Sequence, residues 1–362
     1  MTTESEQSIR PAVAAGTVRG SAPAGPVRIG VPTLEQVAER AGVSRSTASR
    51  AINGGLRVSP EAQAAVDAAV ADLGFIPNRA ARTLVTRRTN SVALVVPEPD
   101  DRVLTDPFFA GTINGLNAAL RDTELQLVLV MARPDDMATR TLRYLRGGHV
   151  DGAIVASHHR DDVLAAELSR SAVPTVFVGR PFEGPHQVRY VDVDNIGGGR
   201  MAAEYLLSIG RRKIATIAGP QDMSAGLDRL QGWSAALVDA GLAGDAIAYG
   251  DFTGDGGARA ATQLLAEHPD LDAIFVASDL MASGALRVLA DAGRTVPGDV
   301  AVVGFDNLAV ATATSPPLTT IVNPVIDMAR AAGEILRDLL AGHEVDPAPV
   351  IFAPELIIRA SA

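Results

Sequence analysis

Short apolar runs alternate with segments of helical periodicity over most of this 362-residue chain. The clearest predicted strands are 91–96, 125–131, 152–156, 175–178, 190–193, 213–218, 273–277 and 300–304. The segments predicted as helices between them are 107–122, 196–209, 226–240, 256–267, 279–291 and 324–341. A strand, a crossover helix and a second strand form a βαβ unit, whose strands run parallel. The alternation therefore predicts an α/β fold, and its length favours two doubly wound lobes over one.

A different, all-helical pattern precedes these strands. Thr33 and Gln36 form a predicted capping box for a first helix, which ends in a tight turn at Gly42. Ser44 caps a second short helix, and a third helix is predicted over 60–73. Two short helices that meet at a glycine turn, followed by a third, predict a small helical unit separate from the α/β part.

The composition excludes several functional classes. The chain has no Cys, so disulfides, thiolate nucleophiles and cysteine metal sites are excluded. The N-terminus lacks a basic segment followed by an apolar one, and no apolar run approaches ~18 residues, which favours a cytoplasmic protein without a membrane partner. The glycines at 197–199 and 254–257 match neither a dinucleotide-binding nor a P-loop pattern, and no nucleophile stands with a base. We expect neither an enzyme nor a bound cofactor.

His158 and His159 are adjacent, which raises the possibility of a metal site. No third ligand is suitably spaced near them, and a metal ion needs at least three protein ligands. The favoured interpretation is a solvated loop, so no metal is expected.

Charge is unevenly distributed along the chain. The net charge of the whole is −10, whereas residues 31–90 carry 8 Arg against 5 Asp plus Glu, a net charge of +3. A basic segment is attracted to phosphate and an acidic remainder is repelled by it, which favours a nucleic-acid binder whose contacting part is small. Chance variation in charge is the alternative explanation.

Several sequence blocks occur in the order found in one known family. The first is 33–53, followed by Val58-Ser59-Pro60, Leu73-Gly74-Phe75-Ile76-Pro77-Asn78 and Ala81-Arg82-Thr83-Leu84. Later blocks are Asp106-Pro107-Phe108-Phe109, Gly219-Pro220, Arg229-Leu230-Gln231-Gly232-Trp233, Gly304-Phe305-Asp306-Asn307 and Pro317-Leu318-Thr319-Thr320-Ile321. Over about 32–359 the chain resembles the LacI/GalR family of repressors. The resemblance implies an N-terminal all-α helix-turn-helix headpiece with a hinge helix, followed by a two-lobed, doubly wound α/β effector domain like the periplasmic binding proteins.

The pattern and the resemblance together predict the domain organisation. The predicted segments are a flexible tail at 1–31, a helix-turn-helix DNA-binding domain at 32–77, a hinge helix or linker at 78–89 and an effector-binding and dimerisation domain at 90–362. Within that last domain, the N-lobe is predicted at about 90–192 plus 323–343, and the C-lobe at about 193–322 plus 344–362.

The second predicted helix carries the candidate DNA contacts. Arg45, Ser46 and Arg50 lie on its exposed side, and in the family the matching residues contact base edges. An arginine fork suits the two acceptors that guanine presents in the major groove. Residues predicted to contact phosphates or to cap helices are Thr33, Ser44, Thr47, Ser49 and Asn53.

The linker adds further candidate contacts. Residues placed to bind or neutralise backbone phosphates are Arg57, Asn78, Arg79 and Arg82. The helix predicted at 78–86 is too short to be stable alone, so it needs a partner. In the family, the leucine that matches Leu84 wedges into the minor groove, and packing against the following lobe is the alternative.

The resemblance also implies an effector site. In the family, the residues matching Arg229, Asp306 and Phe252 bind the effector as a charged donor, a carboxylate acceptor and an aromatic ring that covers the ligand. Such a set suits a sugar, whose hydroxyls pair with the charged groups while its apolar face contacts the ring. The other predicted effector contacts are Phe108, Ser278 and Asn323. The alternative for Asp306 is a cap on its own loop, and Asp279 is predicted to cap the helix that follows it.

The combined prediction is a transcription regulator, favoured as a repressor. A homodimer is expected to bind a pseudo-palindromic operator in double-stranded DNA, with an affinity that a small effector controls. A sugar or sugar derivative is the favoured effector. The alternative is the solute-binding protein of a sugar transporter, which shares the two lobes but needs a signal peptide and has no DNA-binding headpiece.

Overall fold

The computed structural model describes residues 32–53, 58–76, 88–132, 137–182 and 188–362. The chain divides into two compact units, Met1–Arg82 and Thr83–Ala362. The predicted tail at 1–31 and almost all of the predicted hinge at 78–89 lie outside the described residues, so those two predictions stay as they are.

The first unit contains three helices, α1 (Leu34–Arg40), α2 (Arg45–Ile52) and α3 (Pro60–Leu73). The predicted capping box is present, because the Gln36 backbone N–H donates to Thr33 Oγ1 and the Thr33 N–H donates to Gln36 Oε1. Ser44 accepts from the N–H of Thr47 at the start of α2. A small apolar core, in which Val37, Ala48 and Val66 are fully buried, holds the three helices together.

The described part of the second unit contains two six-stranded sheets. Its strands are β1 (Ser91–Val96), β2 (Gln126–Met131), β3 (Gly152–Ala156), β4 (Thr175–Val178), β5 (Arg189–Val193), β6 (Ile214–Ala218), β7 (Ile247–Tyr249), β8 (Ala273–Val276), β9 (Ala301–Asp306), β10 (Thr319–Val322), β11 (Val350–Phe352) and β12 (Leu356–Ile357). Its helices are α4 (Asp100–Thr105), α5 (Pro107–Leu120), α6 (Met137–Arg146), α7 (Val163–Ser169), α8 (Asn195–Ser208), α9 (Ser224–Asp239), α10 (Gly254–Glu267), α11 (Asp279–Asp291), α12 (Ala309–Ala313) and α13 (Val325–Ala341).

Each sheet is the centre of one lobe. The first has the order β11-β5-β4-β3-β1-β2 and is parallel throughout, and the second has the order β12-β10-β9-β8-β6-β7 with only β12 antiparallel. The central strands are buried on both faces, as expected where crossover helices cover a parallel sheet. Both lobes therefore present the carboxyl ends of parallel strands, the edge where open α/β sheets bind ligands.

The course of the C-terminal segment differs from the predicted lobe boundary. The prediction assigned all of 344–362 to the second lobe, but β11 pairs with β5 of the first sheet, with Val350 opposite Val191. Only β12 joins the second sheet, beside β10. The chain thus crosses between the lobes a third time, between β11 and β12, and such short strands carry too little local pattern to reveal the crossing.

Close helix packing fixes the position of α9 in the second lobe. α8 and α9 cross at two glycines, where a Cβ on Gly199 would lie 2.1 Å from the Arg229 carbonyl oxygen and one on Gly232 2.0 Å from that of Ile196. Neither position has room for a side chain. This close crossing holds the backbone of Arg229 at a fixed depth beneath the carboxyl edge of the second sheet.

No helix within the described ranges is long and apolar enough to cross a bilayer.

Candidate DNA-binding helix and ligand cavity

The α2 helix presents one apolar and one polar face. Ala48 and Ala51 are buried against the core, whereas Arg45, Ser46 and Arg50 are exposed, as the sequence predicts. The Arg45 guanidinium lies 2.6 Å from the Glu35 carboxylate of α1, and the Arg50 Nε donates to the Ser46 carbonyl oxygen. Sequence reasoning did not identify Glu35, because its approach to Arg45 depends on how α1 and α2 pack.

The remaining polar residues of α2 have local hydrogen-bond partners. Ser44 Oγ lies 2.9 Å from Ser46 Oγ and 2.8 Å from Thr47 Oγ1, in addition to capping the helix. Asn53 donates from Nδ2 to the Ser49 carbonyl oxygen at the other end. These contacts agree with the capping alternative for Ser44 and leave the exposed side of the helix polar.

Five of the predicted DNA contacts fall outside the described residues. They are Arg57, Asn78, Arg79, Arg82 and Leu84. Their roles, including the choice for Leu84 between a minor-groove wedge and a packing contact, remain predictions.

A cavity lies between the two lobes of the second unit, at the carboxyl ends of both sheets. All six residues predicted to contact an effector line it: Phe108, Arg229, Phe252, Ser278, Asp306 and Asn323. They come from segments at the ends of different strands, and the fold brings them together because those strands end at facing edges. Clefts at this edge of open α/β sheets are where such folds bind small molecules.

Arg229 is the most buried charged group of the cavity wall, with 4% of its surface exposed. Its Nη1 donates to the Ala277 carbonyl oxygen at 2.7 Å and lies 3.4 Å from Asp306 Oδ1, while its Nε donates to Asn195 Oδ1. The guanidinium also lies over the Phe305 ring, 3.6 Å from its centre. Burial lowers the pKa of Arg229, and the carboxylates of Asp306 and Asp192 act in the opposite direction.

Asp306 points toward the cavity and not toward its own loop. Its Oδ1 accepts from Asn323 Nδ2 at 3.1 Å and from Arg229, and burial raises the pKa of its carboxyl to about 6 while Arg229 opposes that shift. The backbone of Asp306 has a φ of +113°, a strained value for a residue with a side chain. In this geometry the Asp306 side chain caps no helix.

Asp279, and not Asp306, accepts hydrogen bonds from the loop that follows β9. Its Oδ2 accepts from the Leu308 N–H at 2.8 Å and its Oδ1 from the Thr320 hydroxyl. The expectation that Asp279 caps α11 is wrong, because Ser278 is the cap and accepts from the Met281 N–H. Burial, with the nearby Asp306 charge, raises the pKa of Asp279 to about 8.

The two aromatic residues of the Phe108-Phe109 pair separate into different environments. Phe109 is 1% exposed in the core, whereas Phe108 lines the cavity and meets the Phe109 ring edge to face at 5.3 Å. Phe252, on the second lobe, lies with its ring centre 5.8 Å from the guanidinium carbons of both Arg102 and Arg229. The cavity therefore has an aromatic surface on each lobe.

Two buried groups of the cavity wall were missed in the sequence. Asp192 accepts from the Arg180 N–H and from Asn195 Nδ2, and burial raises its pKa to about 6. His158 is buried, with Nε2 3.1 Å from the Gly179 carbonyl oxygen, so the expectation of a solvated loop is wrong for this residue. Burial lowers the pKa of His158 to about 4, which keeps it neutral. Asp192 lies near the end of β5 and His158 just beyond the end of β3, and this position was the signal in the sequence for a place in the cavity wall.

Two polar atoms of the cavity wall are buried and have no hydrogen-bond partner among the described residues. One is Asn323 Oδ1, an acceptor, and the other is Arg102 Nε, a donor. Unpaired polar groups are costly in a protein interior, about 1–3 kcal/mol each. Both atoms lie beneath the surface of the cavity wall, out of contact with solvent.

Within the described ranges, the cavity included, no three His, Asp or Glu side chains are grouped so as to hold a metal ion.

Comparison with known proteins places the chain in a family. Residues 33–78 match the model of the bacterial regulatory proteins of the lacI family, and residues 203–362 match that of the periplasmic binding protein-like domain. The HTH-type transcriptional regulator CelR of Thermobifida fusca is 49% identical over 91% of this chain and 98% of its own length. The chain belongs to the LacI family. The ribose operon repressor of Escherichia coli (strain K12) is 32% identical over 91% of this LacI-family chain and 99% of that repressor.

Solved structures of LacI-family proteins share the fold. A CelR–cellobiose complex superimposes with a TM-score of 0.74 at 46% identity, covering 91% of this chain and 100% of that one. A lac repressor dimer bound to operator and the anti-inducer ONPF has a TM-score of 0.79 at 26% identity, covering 91% and 98%. The predicted family and the predicted fold class are confirmed. The alternative of a transport protein is not supported, since these relatives are regulators and the helix-turn-helix matches as well.

Proposed function

We propose that this LacI-family protein is a transcription repressor that binds operator DNA through α2 and is controlled by a neutral carbohydrate in the cavity between its lobes. The observation that carries the effector half is the meeting of polar side chains, Asp306 and Asn323, with two aromatic rings, Phe108 and Phe252, in that cavity. The hydroxyls of a sugar can pair with the polar groups while its apolar ring faces contact the aromatic rings. A regulator of this kind acts in the cytoplasm, where bacterial DNA lies.

The proposed DNA contacts follow from the exposed face of α2. Arg45 and Arg50 are the base-reading side chains, with Ser46 between them, because an exposed helix of this size fits the major groove. Ser49 and Asn53 lie toward the end of the same helix and are proposed phosphate neighbours. Two copies of the chain bind the two halves of a pseudo-palindromic site, as in the lac repressor dimer on its operator.

The charges in the cavity favour a neutral effector over an anionic one. Arg102 pairs with Glu98 at 2.9 Å and Arg229 with Asp306, so both lining arginines are already balanced by the protein's own carboxylates. Asp192 is a further buried carboxyl in the wall. A sugar phosphate would bring negative charge against these acids, whereas the hydroxyls of a neutral sugar donate to them.

Cellobiose is the first ligand to test. The CelR complex contains it, and that structure covers 91% of this chain. The aromatic surfaces of Phe108 and Phe252 suit the apolar faces of sugar rings. Cellobiose is therefore proposed as a ligand of this cavity.

Replacing Asp306 with asparagine is expected to weaken cellobiose binding about 10- to 100-fold, since a carboxylate accepts from hydroxyls more strongly than an amide oxygen does. Asparagine has nearly the size and shape of aspartate, so the substitution removes the charge without adding bulk. Calorimetry measures the affinity, with Asp327→Asn as control because Asp327 is exposed on α13 and pairs only with Arg330 there. Unchanged cellobiose affinity in Asp306→Asn, or equal affinity of the native protein for glucose 6-phosphate, would contradict the proposed site.

A further inference from the structure

His159 of the first lobe contacts carboxylates from both lobes. Its Nδ1 lies 2.8 Å from Asp222 Oδ2, in the loop after β6 of the second lobe. Its Nε2 lies 3.2 Å from Glu98 Oε1, in the loop after β1 of the first lobe. The backbone supports the same junction, since the Arg160 N–H donates to the Asp222 carbonyl oxygen at 2.7 Å. His159 thus lies at a point where the lobes touch.

Hydrogen-bond chemistry identifies the form of the ring that fits this arrangement. An ionised carboxylate only accepts hydrogen bonds, so a nitrogen facing one must donate. A neutral imidazole carries one N–H and can satisfy one of the two carboxylates, whereas the imidazolium carries two and satisfies both. We propose that His159 is a positioning residue for the effector site, which as an imidazolium joins the two lobes, so that lobe closure on effector takes up a proton.

The charged groups around His159 are predominantly acidic. Glu98 and Asp222 face it directly, Arg102 on α4 is paired with Glu98, and the neutral His158 precedes it in the chain. Charged residues that follow it in the same loop are Arg160, Asp161 and Asp162, of which Arg160 donates to the Gln221 carbonyl oxygen. The hydrogen bond to Glu98 raises the pKa of His159 above its usual value near 6.5, and Asp222 adds to the rise while burial opposes it.

The contacts of His159 with Glu98 and Asp222, called the bridge below, are connected to the cavity through Glu98. The same Oε1 accepts from the Ser157 hydroxyl at 2.5 Å and pairs with Arg102, and both of these residues line the cavity. The carboxylate that contacts His159 on its own lobe therefore also holds two residues of the cavity wall. This inference rests on the proposed effector site, because it describes how that site is held closed.

A second contact between the lobes contains no histidine and provides a comparison. Arg180 of the first lobe donates two hydrogen bonds to Asp228 on α9, at 2.7 and 2.8 Å from one terminal nitrogen. The Arg180 carbonyl oxygen also accepts from the Ser224 hydroxyl. Weakening this contact by Asp228→Asn should disfavour closure while leaving the contacts of His159 in place.

The direction of the pH effect follows from the contact with Asp222, which raises the pKa of His159 and is the carboxylate that separation of the lobes would remove. A group whose pKa is higher in the closed form stabilises that form fully below its usual value and loses the effect as pH rises through the raised value. Cellobiose should therefore bind more tightly at about pH 6 than at about pH 8. Asp306 and Asp192 have pKa values of about 6 as well, so the informative quantity is the difference between the native protein and His159→Gln.

The first experiment is calorimetry of cellobiose binding at about pH 7.5 in two buffers with different heats of ionisation, where the usual His is mostly neutral. The native protein should take up more protons for each cellobiose bound than His159→Gln, and Asp228→Asn, which keeps His159, should stay closer to the native protein. His343→Gln, an exposed histidine after α13, is the control for loss of a histidine. Cellobiose binding with equal proton uptake in the native protein and His159→Gln would overturn the inference.

The second experiment needs no ligand and separates this inference from the proposed function. NMR titration of the histidine rings in the ligand-free full-length protein should place the midpoint of His159 above the usual value near 6.5, and Asp222→Asn should lower it. If cellobiose fails to bind but these midpoints hold, the bridge stands and cellobiose is the wrong ligand. A His159 midpoint that Asp222→Asn leaves unchanged would show that the ring does not join the lobes.

Discussion

Replacing Arg229 with leucine is expected to lower the free energy of unfolding of the second unit by about 3–5 kcal/mol. The guanidinium is 4% exposed and compensates the buried Asp306, besides donating to the Ala277 carbonyl oxygen and to Asn195. Leucine would remove the Arg229 donor from the Ala277 carbonyl oxygen and from Asn195 Oδ1, and the Asp306 pKa would rise further because its cation is gone. Cellobiose binding should also be lost, since the same groups line the cavity.

Urea denaturation of the full-length protein, followed by Trp233 fluorescence, measures this effect. Trp233 is the single tryptophan of the chain and is fully buried one helical turn beyond Arg229 on α9, so it reports on the second unit. Arg330→Leu is the matched control, because Arg330 is 52% exposed and an exposed ion pair contributes about 1 kcal/mol at most. A loss below about 1 kcal/mol in Arg229→Leu would mean that the buried partners find other donors.

Arg50→Ala is expected to weaken operator binding by about 1–3 kcal/mol while changing binding to random DNA little. The Arg50 side chain is exposed and its Nε donates to the Ser46 carbonyl oxygen within α2. Its removal should therefore leave the stability of the first unit nearly unchanged. A base-reading arginine contributes on the correct sequence only, whereas a phosphate contact contributes on any DNA.

Fluorescence anisotropy with an operator duplex, selected from random DNA by the protein itself, and with a scrambled duplex measures both affinities. Arg40→Ala removes the same charge from α1, where Arg40 is paired with Asp72, and should affect the two duplexes alike. Equal losses on both duplexes in Arg50→Ala would reassign Arg50 to a phosphate.

The central strands were predictable because each is buried on both faces. β1, β3 and β6 read as continuous apolar runs, and the structure has them within one residue of the predicted bounds. Four strands of two to four residues were not predicted, namely β7, β10, β11 and β12, although β4 and β8, as long as β10, were. At that length tertiary pairing, and not the local pattern, determines whether a segment becomes a strand. The third crossing between the lobes was missed for the same reason.

The residues of the cavity were predictable where a strand end and the family resemblance coincided. Arg229, Asp306 and Phe252 were found in this way, and they line one cavity. His158 was misassigned because its burial depends on the surrounding lobe and not on its neighbours in the chain. His159 is 61 positions from Glu98 and 63 from Asp222 in the chain. No local sequence spacing indicates contacts over such separations.

Regulation by a sugar requires that one molecule couple its sugar-binding cavity to operator binding. Fluorescence anisotropy should compare the operator affinity of the native protein with and without cellobiose, or whichever neutral sugar binds in calorimetry, at a concentration that saturates the cavity. Bound sugar should change the operator dissociation constant about 5- to 150-fold, and Asp306→Asn should shift the sugar concentration needed upward. An operator dissociation constant that stays the same while calorimetry shows the cavity fully occupied would contradict this coupling.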